Sequence, residues 1–444
     1  VRKPKRPPDF EKVGERIRQD AERFLRSYEA VPGPLAHGRY LHWDKLVHYP
    51  PPEGLSHEEW WFALAIQRRI LFKEVPLRDK EGAPFNYLEV DPIPERLHEI
   101  AMGAGGLIEM PEQITNPDTR DRYYVSSLIE EAITSSQLEG AATTRQVARD
   151  MLRSRRKPTD RGERMILNNF LTMQRIGGLK NEPLTRELVF EMHRLITDQT
   201  LREPTSAGAF RRAHHRVAVV NENGQLFHDP PPAEELAERM AAMCDFANGK
   251  TPEGFIHPVV RSIILHFWLA YDHPFADGNG RTARALFYWS MLRHGFWLFA
   301  YVSISQVILR APSKYARAFL YTETDQNDLT YFVLYHLEVI RQAIKALHAY
   351  IKRKTGQLQV VERQLKGVGI LNHRQRALIG HALRHPHHRY TIEYHRTSHD
   401  IVHQTARADL LALRRRGLLE GEKVGKTWYF TPVDNLESKL AKLS

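Results

Sequence analysis

His273-Pro-Phe-Ala-Asp-Gly-Asn-Gly-Arg-Thr-Ala-Arg284 gathers an imidazole, a carboxylate, a glycine-flanked amide and two guanidiniums in one strip. Gly278 and Gly280 permit positive φ and close backbone approach on either side of Asn279, so successive N–H groups can converge on an anion. No breaker follows in residues 281–288, which predicts a helix whose first-turn N–H groups and positive dipole end face the same anion. Arg281 and Arg284 are three apart and share a helical face. Their planar forks suit phosphate oxygens better than the point charge of a lysine does. Asp277 suits Mg²⁺, a hard cation that prefers oxygen ligands. His273 has an unperturbed pKa near neutrality and is the natural proton acceptor for an attacking hydroxyl.

The strip resembles the Fic motif, histidine-x-phenylalanine-x-acid-Gly-Asn-Gly-Arg-x-x-Arg, with every fixed position matched. Ala283 stands where many members have glycine, a change that favours a helix. The resemblance implies a protein adenylyltransferase, in which the histidine deprotonates a hydroxyl on a target protein that then attacks the α-phosphate of ATP. Carried over residue by residue, His273 is the catalytic base and Asp277 holds Mg²⁺. Gly278, Asn279 and Gly280 form the anion hole, Arg281 and Arg284 grip the outer phosphates, and Phe275 anchors the core. The co-substrate is ATP and the partner a protein bearing a Ser, Thr or Tyr hydroxyl. Removal of AMP in the same pocket, and a nucleotide-sensing DNA-binding regulator, stand as alternatives.

Far upstream, Ser127-Leu-Ile-Glu-Glu-Ala-Ile-Thr-Ser-Ser-Gln-Leu-Glu-Gly140 has apolar residues at helical spacing and a glycine stop signal. Ser135 and Glu139 are four apart and share a face. Glu139 lies at the carboxyl end, where the macrodipole disfavours an acid, so a cation is expected beside it. The stretch resembles the family's inhibitory motif, Ser/Thr-x-x-x-Glu-Gly/Asn. The resemblance gives Ser135, Glu139 and Gly140 a regulatory role and implies a Glu139–Arg284 salt bridge that blocks productive ATP.

The whole chain sets outer bounds. Its 444 residues leave room for about three domains. No apolar run reaches bilayer length and no signal-peptide core follows the basic start, so a cytoplasmic protein without a membrane partner is expected. The opening Val1 suggests a trimmed or incomplete start. A single cysteine, Cys244, excludes an intrachain disulfide and gives no support to a cysteine-based zinc site. Residues 371–444 hold 13 Lys+Arg against 7 Asp+Glu, so they supply +6 of the net +11 and suit a polyanion partner.

These signals predict a mainly α protein: a Fic-type helical core with a small β-hairpin flap, a helical N-terminal domain and a C-terminal winged helix-turn-helix. Residues 1–54 read as a proline-interrupted arm containing one helix over 11–30, and 55–183 as the helical domain carrying the inhibitory motif. The core spans 184–330, a connecting helix 331–366, and the winged helix 367–444. Within the core, β-branched residues before Asn223-Gly224 signal a hairpin. By resemblance this flap lines up the target by strand addition, with Gln225, Leu226, Phe227 and His228 facing the nucleotide. Tyr315 resembles the adenine-side tyrosine, although Ala316 breaks the usual pair. In the last domain Arg407 and Arg414 point to a groove and Lys426 to a phosphate, while a protein partner fits the same domain equally well. The histidines at 385, 387, 388, 395, 399 and 403 read as packing or solvated residues rather than a metal site. A homodimer is left open.

Overall fold

A computed structural model describes residues 2–104, 117–154, 156–215, 217–220, 224–367, 370–424 and 427–441. The chain is mainly α, and divides into two compact units, Val1–Ile108 with Ser126–Ile344, and Glu109–Val125 with Lys345–Ser444.

In the first unit the N-terminal residues are built into the core instead of forming an arm. Helices α1 (Phe10–Arg18), α2 (Ala21–Glu29) and α3 (Trp43–Leu46) pack with α4 (His57–Leu71) around Val13, Ile17, Leu46, Trp60 and Trp61. The helix expected over 11–30 is two helices, because Asp20 takes extended backbone and caps the second by accepting the Arg23 N–H at 3.0 Å. The prolines terminate short elements that pack nonetheless. Arg68, buried on α4, ties this segment down: it donates to the carbonyls of Pro34 and Leu41 at 3.1 and 3.0 Å and to the Tyr331 hydroxyl at 2.9 Å.

A hairpin, β1 (Lys73–Arg78) and β2 (Pro84–Tyr87), interrupts the region expected to be wholly helical. Val75, Leu77, Phe85 and Tyr87 point inward at strand period two. Then come α5 (Ile93–Ala104), α6 (Pro117–Leu138), α7 (Arg145–Ser154), α8 (Arg161–Leu179) and α9 (Arg186–Thr197). The short flap follows, β3 (Val219–Val220) antiparallel to β4 (Leu226–His228); its expected Asn223 turn residue lies outside the described residues.

The centre of the unit is α11 (Pro258–Asp272) against α12 (Asn279–Arg293), preceded by α10 (Leu236–Ala247). α11 is apolar almost all round and is buried on nearly every side. Next are α13 (Ile304–Arg310), α14 (Pro312–Thr324) and α15 (Thr330–Gly367). The early part of α15 belongs to this core rather than to a connector, since Phe332 meets Phe319 and Phe267 at ring distances of 4.6 and 5.0 Å.

In the second unit α16 (His373–Arg384), α17 (Ile392–His399) and α18 (His403–Arg415) adjoin a three-stranded antiparallel sheet. Its strands β5 (Tyr390–Thr391), β6 (Leu419–Val424) and β7 (Thr427–Pro432) run in the order β5-β7-β6. Leu378, Ile379, Leu410, Leu413 and Phe430 fill the core. Asp409 joins the helices by accepting from Asn372, Arg374 and His395 at 2.7, 2.8 and 3.2 Å. Arg407 is exposed, Arg414 lies over the Trp428 ring at 5.1 Å, and Lys426 lies outside the described residues. Of the histidine-rich segment, His385 stacks on His381 at 4.0 Å, a packing arrangement.

Arg68→Met should lower unfolding stability by about 3 kcal/mol, because it removes the donors to the Pro34 and Leu41 carbonyls and the cation 4.0 Å from the buried Asp325. Arg26→Met, which removes an exposed pair with Glu22, should stay within about 0.5 kcal/mol. Urea denaturation of the two variants checks the contrast.

Candidate active site

His273 sits where α11 stops. His273 adopts left-handed backbone (φ 48°, ψ 52°), an uncommon state for a side-chain-bearing residue and a mark of a constrained site. Its ring Nδ1–H donates to the Ala270 carbonyl at 3.0 Å. That bond fixes the tautomer and leaves Nε2 with a bare lone pair. Arg211 Nε in turn holds the His273 carbonyl at 2.9 Å. Burial pushes the His273 pKa down to about 4, against a partial opposing pull from the Ala270 carbonyl. The imidazole is therefore neutral at pH 7 and ready to accept a proton.

The loop between His273 and α12 is held from inside. Asn279 accepts the Phe275 N–H at 2.9 Å and donates to the Phe275 carbonyl at 2.8 Å. The Asn279 side chain thus staples the loop, which leaves the expected anion hole to the backbone N–H groups of residues 278–280. Phe275 is the expected core anchor, stacked on the buried His193 at 3.8 Å. His193 Nε2–H donates to the Asp277 carbonyl at 2.9 Å, and its Nδ1 accepts the Gly208 N–H at 2.9 Å. Gly278 has φ 86°, and a Cβ there would lie 2.7 Å from Thr197 Cγ2. Glycine is required at that position.

The two arginines are in different states. Arg284, 1% exposed, donates through Nε to the Ser135 hydroxyl at 2.8 Å and through Nη2 to the Ser135 carbonyl and Glu139 Oε1, both at 2.9 Å. The expected Glu139–Arg284 bridge is therefore present, with Ser135 completing it. Burial works to raise the Glu139 pKa, but the Arg284 guanidinium outweighs it and holds the carboxyl below its ordinary value. Burial likewise opposes charge on Arg284, and Glu139 outweighs it, keeping the guanidinium above its usual range. Arg281, by contrast, donates once, through Nη1 to the Ile196 carbonyl at 2.9 Å. Its Nε and Nη2 are buried and have no hydrogen-bond partner among the described residues. Buried, unmet guanidinium donors call for an anion.

Glu139 stands on the N-terminal end of α12. A Cβ built on Gly280 would collide with its carboxylate, the Glu139 Cδ being 2.8 Å away. An acid is thus seated where first-turn N–H groups are without intrahelical acceptors. α6 ends at Leu138, and Gly140 takes φ 88° to turn the chain away. Two turns before Glu139, the buried Glu131 anchors the same helix. It accepts from the hydroxyls of Ser305, Tyr288 and Ser303 at 2.5, 2.8 and 2.8 Å.

Of the remaining expected residues, Gln225 and Leu226 are exposed and Phe227 is half-buried. His228 is turned inward, contrary to the nucleotide-facing expectation. Its Nε2–H donates to the Tyr271 carbonyl at 2.7 Å and its Nδ1 pairs with Glu323 at 2.7 Å. Burial would lower the His228 pKa, but Glu323 outweighs it and holds it above the ordinary value. Tyr315 bonds His266 Nε2 at 2.8 Å, and burial pushes its phenol up to about 12. Asp277 is partly exposed, bonded to Arg161 at 2.9 Å and, through Oδ1, to the Gly278 N–H at 2.5 Å. It fits a divalent cation: an oriented carboxylate that already draws a positive partner.

Among the described residues, Glu203, His214 and His215 also bring ligand atoms within 4.8 Å of one another. His215 Nδ1 accepts the Arg212 N–H at 2.8 Å, so its proton is on Nε2, directed at Glu203 at 3.3 Å. That is a hydrogen-bonded pair, not a vacant ligand set. The sequence reading missed His193, Arg211, Arg161 and Glu131. His193 carried a faint signal, a polar ring on the inward side of an amphipathic helix; the others carried none.

Residues 183–291 match the sequence model of the Fic/DOC family. A protein adenylyltransferase Fic of Nematostella vectensis is 30% identical over 176 residues, 40% of this chain and 36% of that protein. The protein adenylyltransferase fic-1 of Caenorhabditis briggsae is 34% identical over 108 residues, 24% of this chain and 19% of that one. The chain thus spans little more than a third of the length of the first of these curated relatives and about a fifth of the second. A Fic family protein from Desulfovibrio desulfuricans G20 has the same fold, with a TM-score of 0.52 at 20% identity, covering 78% of this chain and 97% of that chain.

Titration of the His273 ring by NMR, assigned by comparison with His273→Ala, should give a midpoint near 4. A midpoint near the ordinary 6.5 would mean that the ring is solvated.

Proposed function

We propose, on the premise that residues 183–291 are a Fic/DOC domain, that the protein transfers AMP from ATP to a hydroxyl of a target protein and is restrained by its own Glu139. The observation that carries this reading is the pair of arginines, one holding an internal carboxylate and the other with two buried donors unmet. A triphosphate supplies what both require.

His273 Nε2 would take the proton of a Ser, Thr or Tyr hydroxyl on the target. The oxygen then bonds to the α-phosphorus, the bond from that phosphorus to the bridging oxygen breaks, and pyrophosphate leaves. The first-turn N–H groups at Gly280 and the donors of Arg281 and Arg284 stabilise the charge on the phosphates. Asp277 would hold Mg²⁺, which neutralises phosphate charge when bound. The tautomer set by Ala270 and the neutral state of His273 suit it to accept the proton without prior deprotonation. Val219 and Val220, 39% and 54% exposed on β3, offer an open edge for a target strand. Tyr315, beside Arg284 and His266, fits the adenine side.

With Glu139 on Arg284, the outer phosphates cannot be gripped in the productive pose. Removal of AMP is the second reading, favoured by the place of Glu139 near His273, from which it would orient water. The second unit fits a winged helix, with α18 as the element entering a DNA groove through Arg407; a protein partner is the alternative. Among the described residues no helix is long and apolar enough to cross a membrane, and a cytoplasmic setting suits the rest.

Glu139→Gly should raise self-labelling from radioactive ATP about tenfold or more, and His273→Ala in that background should cut it by about 10²- to 10⁴-fold. Labelling unchanged by Glu139→Gly would refute the restraint. Loss of AMP release from a modified target on Glu139→Gly would favour the removal reading. A salt-dependent shift on duplex DNA that survives His273→Ala would identify the second unit as a DNA module.

A further inference from the structure

The carboxylate assigned to Mg²⁺ is already occupied by a cation from the protein itself. Arg161, the first residue of α8 after its cap Asp160, donates from Nη2 to Asp277 Oδ2 at 2.9 Å. Its Nε donates to the Thr200 carbonyl at 3.0 Å, so the guanidinium bridges two loops. The other Asp277 oxygen takes the Gly278 N–H at 2.5 Å and lies 3.8 Å from Arg281 Nη2. Oδ2 is therefore the oxygen a metal would use, and Arg161 stands on it. The Arg161 side chain is 59% exposed and that of Asp277 44%, so burial does not lock the pair together. Arg161 also lines an open cavity of about 500 Å³ with Thr159, Arg164, Gln199, Thr200 and Arg202, which gives the guanidinium room to withdraw.

We propose that Arg161 is a stand-in cation for the metal, a positioning residue that orients Asp277 in the metal-free protein and competes with Mg²⁺ for its outer oxygen. Two positive groups at hydrogen-bond range of one carboxylate repel each other, so a metal–nucleotide complex entering the site displaces the guanidinium toward the cavity. The device is independent of Glu139: one internal ion occupies the anion socket, the other the cation socket. It rests on the reading of Asp277 as the metal ligand.

Binding of Mn²⁺, followed by its EPR signal in the full chain with the Glu139→Gly change and α,β-methylene-ATP present, tests it. Arg161→Gln should tighten Mn²⁺ about two- to fivefold, the range set by loss of one exposed ion pair, and Arg161→Lys should return toward the parent value. A gain in affinity separates competition from a structural role, whose loss would weaken the site. If Arg161→Gln leaves Mn²⁺ binding unchanged or weaker while Asp277→Asn loses it, the competition is overturned and the metal ligand stands. If Asp277→Asn binds Mn²⁺ like its parent, the metal assignment falls and the proposal with it.

Discussion

The guanidinium of Arg284 is charged in the interior and is held there by an anion, Glu139. Its pKa leaves no neutral form to retreat to, and an uncompensated charge in the interior costs about 3–5 kcal/mol. Ser135 meets part of the need through its hydroxyl and carbonyl, and Glu139 supplies the directly paired charge. The surrounding architecture follows from that demand. α6 is pinned by Glu131 to Tyr288, Ser303 and Ser305 so that its carboxyl end reaches α12. Gly280 lacks a side chain where the carboxylate rests.

The proposed base, His273, is held rigidly by polar contacts around a backbone that regular structure cannot satisfy. Between the end of α11 and the start of α12 the chain makes neither helix nor ladder, so its donors and acceptors must find other partners. Asn279 serves Phe275, His193 serves the Asp277 carbonyl, Arg211 serves His273, and Ala270 serves the His273 ring. Each contact fixes one atom of the strip. Together they let the left-handed turn at His273 persist, a strain that isolated chain would relax.

What could be read from the letters alone was the chemistry that lies contiguous in sequence. The strip from His273 to Arg284 was legible because its residue types and spacing serve one purpose, and Glu139 because an acid at the carboxyl end of a helix is out of place. The contacts that hold the strip were not legible, since they come from far away. Glu131 is preceded by Glu130 and nothing in sequence tells the buried hub from its partly exposed neighbour. His193 looks like an ordinary helical histidine, and His228 turns inward only because Glu323 and the end of α11 await it. Prolines misled the reading of residues 1–54: they mark the ends of short helices, and tertiary packing around Trp60 and Trp61 decides the rest. The 73–87 hairpin was hidden in the same way, because Pro76 breaks the strand signal between two buried positions.

On the proposed reading, the restraint is a difference between two occupants of one socket, not an absolute barrier. Glu139 follows the last residue of α6 and its side chain is 29% exposed, so it can leave without disturbing the Glu131 anchor, the turn at Gly140 absorbing the change. Departure alone is prohibitive because it strands Arg284, so only an arriving anion can relieve it. A phosphate arriving on the proposed reading would replace the carboxylate as the anion on Arg284 and would also reach the unmet Nε and Nη2 donors of Arg281, which Glu139 leaves unsatisfied. Each such buried donor carries a standing cost of about 1–3 kcal/mol. The state with Glu139 on Arg284 is thus stable yet incomplete, and the donors it leaves unpaired are the ones a nucleotide would recover.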